Sequence, residues 1–118
     1  MSDSALPTIA WKILTVADYK LLVAEGRYEG SPVDLADGYI HLSAADQLEI
    51  TASKHYVGQS DLMLVEVDLG AIADDVVWEP SRGGALFPHI YGVLPLAATR
   101  NPRPLSVSTD GKMILSND

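Results

Sequence analysis

Leu62-Met63-Leu64-Val65-Glu66-Val67 is the stretch on which the fold turns. It is apolar at every position but Glu66, and Gly58-Gln59-Ser60 sets it off as a separate short element. A run of this length and character predicts a strand covered on both faces and central in a sheet. The segments on either side must supply what covers it.

Toward the N-terminus, Ser43 stands as an N-cap with Asp46 three residues on. Leu48, Ala52 and Tyr56 fall at i, i+4 and i+8, so a helix is expected from Ser43 to about Tyr56. Before it, Asp37-Gly38 signals a turn into a short strand, Tyr39 to Leu42. Gly30-Ser31-Pro32 reads as a break. An earlier helix opens at Thr15, with Asp18 at capping-box distance. It carries Val16, Tyr19, Leu22 and Val23 as its apolar stripe and stops at Gly26. Ile9 to Leu14 alternates as a first strand, with Trp11 partly buried.

Toward the C-terminus, Asp68 to Asp75 is a short connection with room for one helical turn, and Val76-Val77-Trp78-Glu79 is another strand. Pro80 to Ala85, containing Ser81-Arg82-Gly83-Gly84, has the composition of a flexible substrate loop. His89-Ile90-Tyr91 predicts a strand, Val93 to Ala97 a strand or turn at an edge, and Asn101-Pro102-Arg103-Pro104 a loop. Leu105 to Val107 and Met113 to Leu115 flank Asp110-Gly111 as a closing hairpin. Two early helices against six or seven strands make an α+β fold, expected as one compact domain over residues 1–118 with residues 1–6 and 116–118 loose.

Hydrophobic residues are 47% and charged residues 20% of the 118, ordinary for a soluble globular protein. No apolar run approaches the ~20 residues of a membrane span, and no basic-then-apolar leader opens the chain, so a cytoplasmic location is the expectation. Without cysteine there is no disulfide frame, thiolate nucleophile or zinc–sulfur site. A net charge of −8 argues against general nucleic-acid binding. Residues 1–79 hold 4 basic and 14 acidic side chains, residues 80–118 4 basic and 2 acidic. Arg82, Arg100 and Arg103 can accordingly meet a small anion, or be merely solvated.

Two short apolar runs contain histidine: Asp37-Gly38-Tyr39-Ile40-His41-Leu42-Ser43 and Phe87-Pro88-His89-Ile90-Tyr91-Gly92. They are expected to wall one pocket. His41 and His89 can each be core residues satisfied by backbone groups, or pocket residues that bind a ligand and move a proton. Glu79, between Trp78 and Pro80, is the candidate carboxylate. Its pKa would rise beside the tryptophan if desolvated, and it pairs with Arg82 in the plainer reading. Tyr39, Trp78 and Tyr91 suit stacking on a flat ligand, or a core. His55 reads as surface, and N-cap duty explains Ser43. His41, His89 and Glu79 lack metal-ligand spacing, so no metal is expected.

Taken in order, the two histidine runs with Trp78-Glu79 between them resemble the small bacterial family known as domain of unknown function 952, over Trp11 to about Leu96. The resemblance implies an ADP-ribosyltransferase-like fold, with two early helices packed on a strongly bent, mostly antiparallel sheet. It also implies a cleft for NAD or a related nucleotide. His41 would match the strand residue that meets the ribose in such enzymes, with Tyr39 and Ser43 flanking the cleft. His89 and Tyr91 would line it and Glu79 would stand at its rim; Trp78 and Arg82 complete the expected ligand contacts. Beyond Glu79 the only acids are Asp110 and Asp118, so no C-terminal catalytic glutamate is present. An ADP-ribosyl- or phosphotransferase-like enzyme, a non-catalytic module for a nucleotide or small anion, and an adaptor with structural histidines all stay open.

Overall fold

The apolar run around Val65 is covered on both faces. The structure is a computed structural model and describes residues 7–80 and 84–115. Arg82 and the expected loose termini lie outside them. In chain order the elements are β1 (Ile9–Thr15), α1 (Val16–Glu25), β2 (Arg27–Tyr28), α2 (Pro32–Asp37), β3 (Ile40–His41), α3 (Leu48–His55) and β4 (Leu62–Asp68). A 3-10 segment, Leu69–Asp75, leads to β5 (Val76–Pro80), β6 (Leu86–Ile90) and β7 (Leu94–Pro95). A second 3-10 turn, Leu96–Ala98, precedes β8 (Thr99–Val107) and β9 (Met113–Leu115).

The expected single bent sheet is three sheets, all of their pairings antiparallel: β1-β4-β8-β9, β2-β7 and β3-β6-β5. One isolated bridge, Trp11 to Ser43, ties the site-bearing sheet to the edge of the large one. Strand alternation sorts β4 between two clusters. Val65 and Val67 join Ala10, Leu14, Leu22, Ile40, Ile90 and Leu94 under α1. Leu62 and Leu64 join Ile13, Ala52, Leu105 and Val107 under α3. Leu22, the buried residue of α1, is fully covered. A side chain so covered contributes ~1.5–3 kcal/mol, and truncation to alanine costs about 2–5 kcal/mol.

α1 forms where its caps place it: Thr15 accepts from the Asp18 amide, and Gly26 ends the helix at φ +77°. Three expectations give way, and one strand is added. Ser31-Pro32 does not break the chain but starts α2. Ser31 caps it, Asp34 closes the capping box, proline sits in the first turn and Gly38 stops it in the left-handed region. Ser43 is not an N-cap; its backbone bridges Trp11 while its Oγ meets Thr51 Oγ1 at 2.9 Å, and α3 begins at Leu48. Arg27–Tyr28 is a further strand, too short to show a period.

Asn101-Pro102-Arg103-Pro104 is not a loop but part of β8. Leu64 pairs with Arg103 and Glu66 with Arg100, so β8 holds one extra residue there. Asn101 takes φ +52° within that bulge and its Nδ2 donates to Glu66 Oε2 at 3.0 Å. β9 covers only Leu105–Val107, which leaves the proline-bearing half of β8 as an edge, where a missing N–H costs little. No helix among the described residues is long and apolar enough to cross a membrane.

Candidate functional site

The two histidine runs are neighbouring strands. β3 pairs with β6 so that His41 lies opposite His89 and Ile40 opposite Ile90. On the far side of β6, Val77 lies opposite His89 and Trp78 opposite Pro88. Side chains alternate across a sheet, so one row (Ile40, Ile90, Val76) faces the core and the next (His41, His89, Val77) faces away. Tyr39 lies over this second row, its ring stacked on His89 at 4.0 Å and tilted to His41 at 4.8 Å and to Tyr91 at 5.2 Å. His41 and His89 meet edge to face at 5.5 Å.

His41 is rooted in the interior. Asp34, 2% exposed, receives the Ser31 amide at 2.9 Å, the His41 amide at 3.2 Å and His41 Nδ1 at 2.6 Å. Lys12 reaches the same carboxylate at 3.1 Å and the His41 carbonyl at 2.9 Å. Burial pushes the Asp34 carboxyl up, but Lys12 and the hydrogen bonds from His41 and Ser31 outweigh it, leaving the pKa below the ordinary carboxylate value. Burial also lowers Lys12, only partly offset by Asp34. The other ring nitrogen of His41, Nε2, is 2.9 Å from Asp37 Oδ2. The Nδ1 contact is a hydrogen bond, while the Asp37 carboxylate stands beside Nε2 as an ion-pair neighbour.

His89 is held from one side only. Its Nδ1 is 2.7 Å from Glu79 Oε1, which also accepts from the Tyr91 hydroxyl at 2.7 Å. Those two hydrogen bonds hold the Glu79 carboxyl below its ordinary pKa. In return the carboxylate raises the Tyr91 phenol to about 12. His89 Nε2 has no hydrogen-bond partner among the described residues, yet no buried side-chain nitrogen or oxygen among them lacks one. Although the residue is 5% exposed, Nε2 therefore reaches the surface.

Of the residues singled out in the sequence, Tyr39, His41, Glu79, His89 and Tyr91 come together. Trp78 does not; one position before Glu79, it points to the opposite face and packs on the core. Ser43 is buried at the Trp11 bridge, and Arg82 lies outside the described residues. The two runs are adjacent strands rather than facing walls, and two clefts form elsewhere. One of about 280 Å³ is lined by Trp11, Leu48, Leu64, Glu66 and Arg103; the other lies along Pro7 to Ile9 and Ala44 to Asp46. Among the described residues no group of three or more His, Asp or Glu side chains is arranged to hold a metal ion.

Sequence reasoning missed Lys12, Asp34 and Asp37. The signal for Asp34 was present: Ser31-Pro32-Val33-Asp34 with Gly38 beyond spells a capped short helix with its acid at N3. Lys12 gave none, because its partner is 22 residues away and its burial depends on the assembled sheets.

The family model described as a protein of unknown function, DUF952, matches residues 13–101. Protein CC0527 from Caulobacter crescentus, a structural-genomics target, is similar to this chain. Its crystal structure aligns at 44% identity and TM-score 0.85 over 91% of this chain and 94% of that one. A crystal structure of its double mutant aligns at 43% identity and TM-score 0.85 over the same shares. Its solution NMR structure aligns at 44% identity and TM-score 0.78, over 90% and 91%. No curated protein matches the chain. On the family match and these likenesses together, the chain belongs to the DUF952 family of proteins of unknown function.

Proposed function

We propose that the fold is ADP-ribosyltransferase-like and that the face formed by Tyr39, His41, His89 and Tyr91 binds a nucleotide of the NAD class in the fashion of such enzymes. The observation that carries the reading is the packing of four rings on one sheet face, with a carboxylate behind each histidine. Aromatic faces take a flat base, and imidazole and phenol groups match ribose hydroxyls. The ligand class is the one that the sequence resemblance to the DUF952 family implies. In this reading His41 shapes the site and His89 meets the ligand, because both nitrogens of His41 already face carboxylates. That occupancy also favours a second reading, in which the face binds the nucleotide without turning it over.

An NMR titration of labelled protein with NAD, ADP-ribose and phosphate tests the proposal. Shifts converging on Tyr39–His41 and His89–Tyr91 with the nucleotides, and absent with phosphate, are expected. Silence at millimolar nucleotide would remove the nucleotide reading. Release of nicotinamide from NAD would then separate an enzyme from a binding module.

A further inference from the structure

We propose that His89 is the proton acceptor of this site, working through Nε2 on a hydroxyl group of a bound reactant or on water, with Glu79 as its positioning residue and His41 as fixed framework. The inference rests on the preceding reading only for the identity of the ligand.

The geometry separates two histidines that the sequence treats alike. A histidine able to take a proton needs one nitrogen with a free lone pair, aimed at solvent, and the other nitrogen fixed by a hydrogen bond that sets the tautomer. His89 meets each condition. Nδ1 faces Glu79 Oε1 at 2.7 Å, and a carboxylate accepts, so the ring proton sits on Nδ1. Nε2 then carries the lone pair, without a hydrogen-bond partner among the described residues and at the surface. Tyr39 stacked at 4.0 Å fixes the ring plane, and the Tyr91 hydroxyl fixes Glu79. His41 fails the same conditions, since Asp34 holds its Nδ1 at 2.6 Å and the Asp37 carboxylate stands in front of Nε2 at 2.9 Å.

In the step this arrangement performs, the O–H bond of the acceptor breaks, its proton passes to Nε2 and the bonding pair stays on oxygen. That oxygen forms a bond to the electrophilic carbon or phosphorus of the ligand as the bond to the leaving group breaks, the leaving group keeping the pair. The carboxylate of Glu79 offsets the charge that appears on the ring. The reactant class is thus a hydroxyl compound or water paired with a ligand bearing a leaving group.

The test needs no ligand. Proton–nitrogen correlation spectra of the imidazoles report which nitrogens carry hydrogen, and diethylpyrocarbonate acylates an imidazole nitrogen only where its lone pair is reachable. The expected result has His89 protonated at Nδ1 and bare at Nε2. His89 is then acylated at Nε2 while His41 is spared, with added N-acetylhistidine as the reference. Glu79→Gln should lower the rate at His89 relative to N-acetylhistidine and mix its tautomers; Glu79→Asp should restore part of the rate. A proton found on Nε2 of His89, or acylation of His41 ahead of His89, would overturn the proposal even if NAD binds. Failure of NAD to bind, with these results intact, would remove the nucleotide and leave the proton acceptor.

Discussion

Asp34 and Glu79 each grip the Nδ1 of a histidine, on paired strands, at nearly the same distance: 2.6 and 2.7 Å. Their surroundings are opposite. Asp34 is buried, shared between a helix cap and Lys12, and holds an imidazole whose second nitrogen lies 2.9 Å from another carboxylate. Glu79 is about a third exposed, bonded to a surface phenol, and holds an imidazole whose second nitrogen has no hydrogen-bond partner among the described residues. The comparison teaches that a carboxylate–histidine pair has no meaning by itself. Burial and the count of partners decide whether it fixes a structure or sets up a reaction.

The sharpest way to break this contrast is Asp34→Ala. It leaves Lys12 inside the protein without its counter-charge, with only the His41 carbonyl as partner among the described residues, and removes the cap acceptor, so a loss of about 3–5 kcal/mol is expected in urea unfolding. A loss within 0.5 kcal/mol, the size typical of a surface change, would erase the difference between the two carboxylates. Acid unfolding reads the same residue. The Asp34 carboxyl titrates lower in the folded than in the unfolded state. The stability it contributes is therefore complete above the unfolded value of ~3.9 and is lost as the pH falls through and below it. Stability measured from pH 6 downward should fall more steeply in the native protein than in Asp34→Asn.

Ser31→Ala sharpens the contrast more gently. It removes only the acceptor for the Asp34 amide, and about 1 kcal/mol should be lost. The smallest effect on stability belongs to Glu79→Gln, which should leave the urea midpoint in place. Its signature is spectroscopic: the Tyr91 phenol, held at about 12 by the carboxylate, should titrate back toward the ordinary ~10. Near-ultraviolet phenolate absorbance, with Tyr91→Phe as reference, reads the change.

Much of this was legible in the residues, and what was not has physical causes. The run Leu62–Val67, the caps of α1 and the Asp110-Gly111 hairpin act locally, so sequence places them correctly. The partnership of His41 with His89 was visible as two runs of like composition, but their pairing register was not. A strand of two residues carries no period to read. Trp78 misled because a single step along a strand reverses its face. The Pro102 and Pro104 pair misled because the cost of proline in a strand depends on whether the next strand reaches that far. Asp34 stayed hidden behind its cap: an acid at N3 announces a helix, while its second duty to Lys12 and His41 exists only after β1, α2 and β3 have met.

The register of β3 also imposes an order in time. Ile40 pairs with Ile90, and in the large sheet Ile9 pairs with Asp68, so these contacts join residues made far apart. Non-local pairing of this kind places folding toward the slow end, on the order of milliseconds to seconds. On the ribosome, Lys12, Ser31, Asp34 and His41 all emerge before any residue of β6. A growing chain thus possesses every group of the buried anchor while His89 and its stacking contact do not yet exist. The reactive half of the face is the last to be written and is laid against a framework already specified.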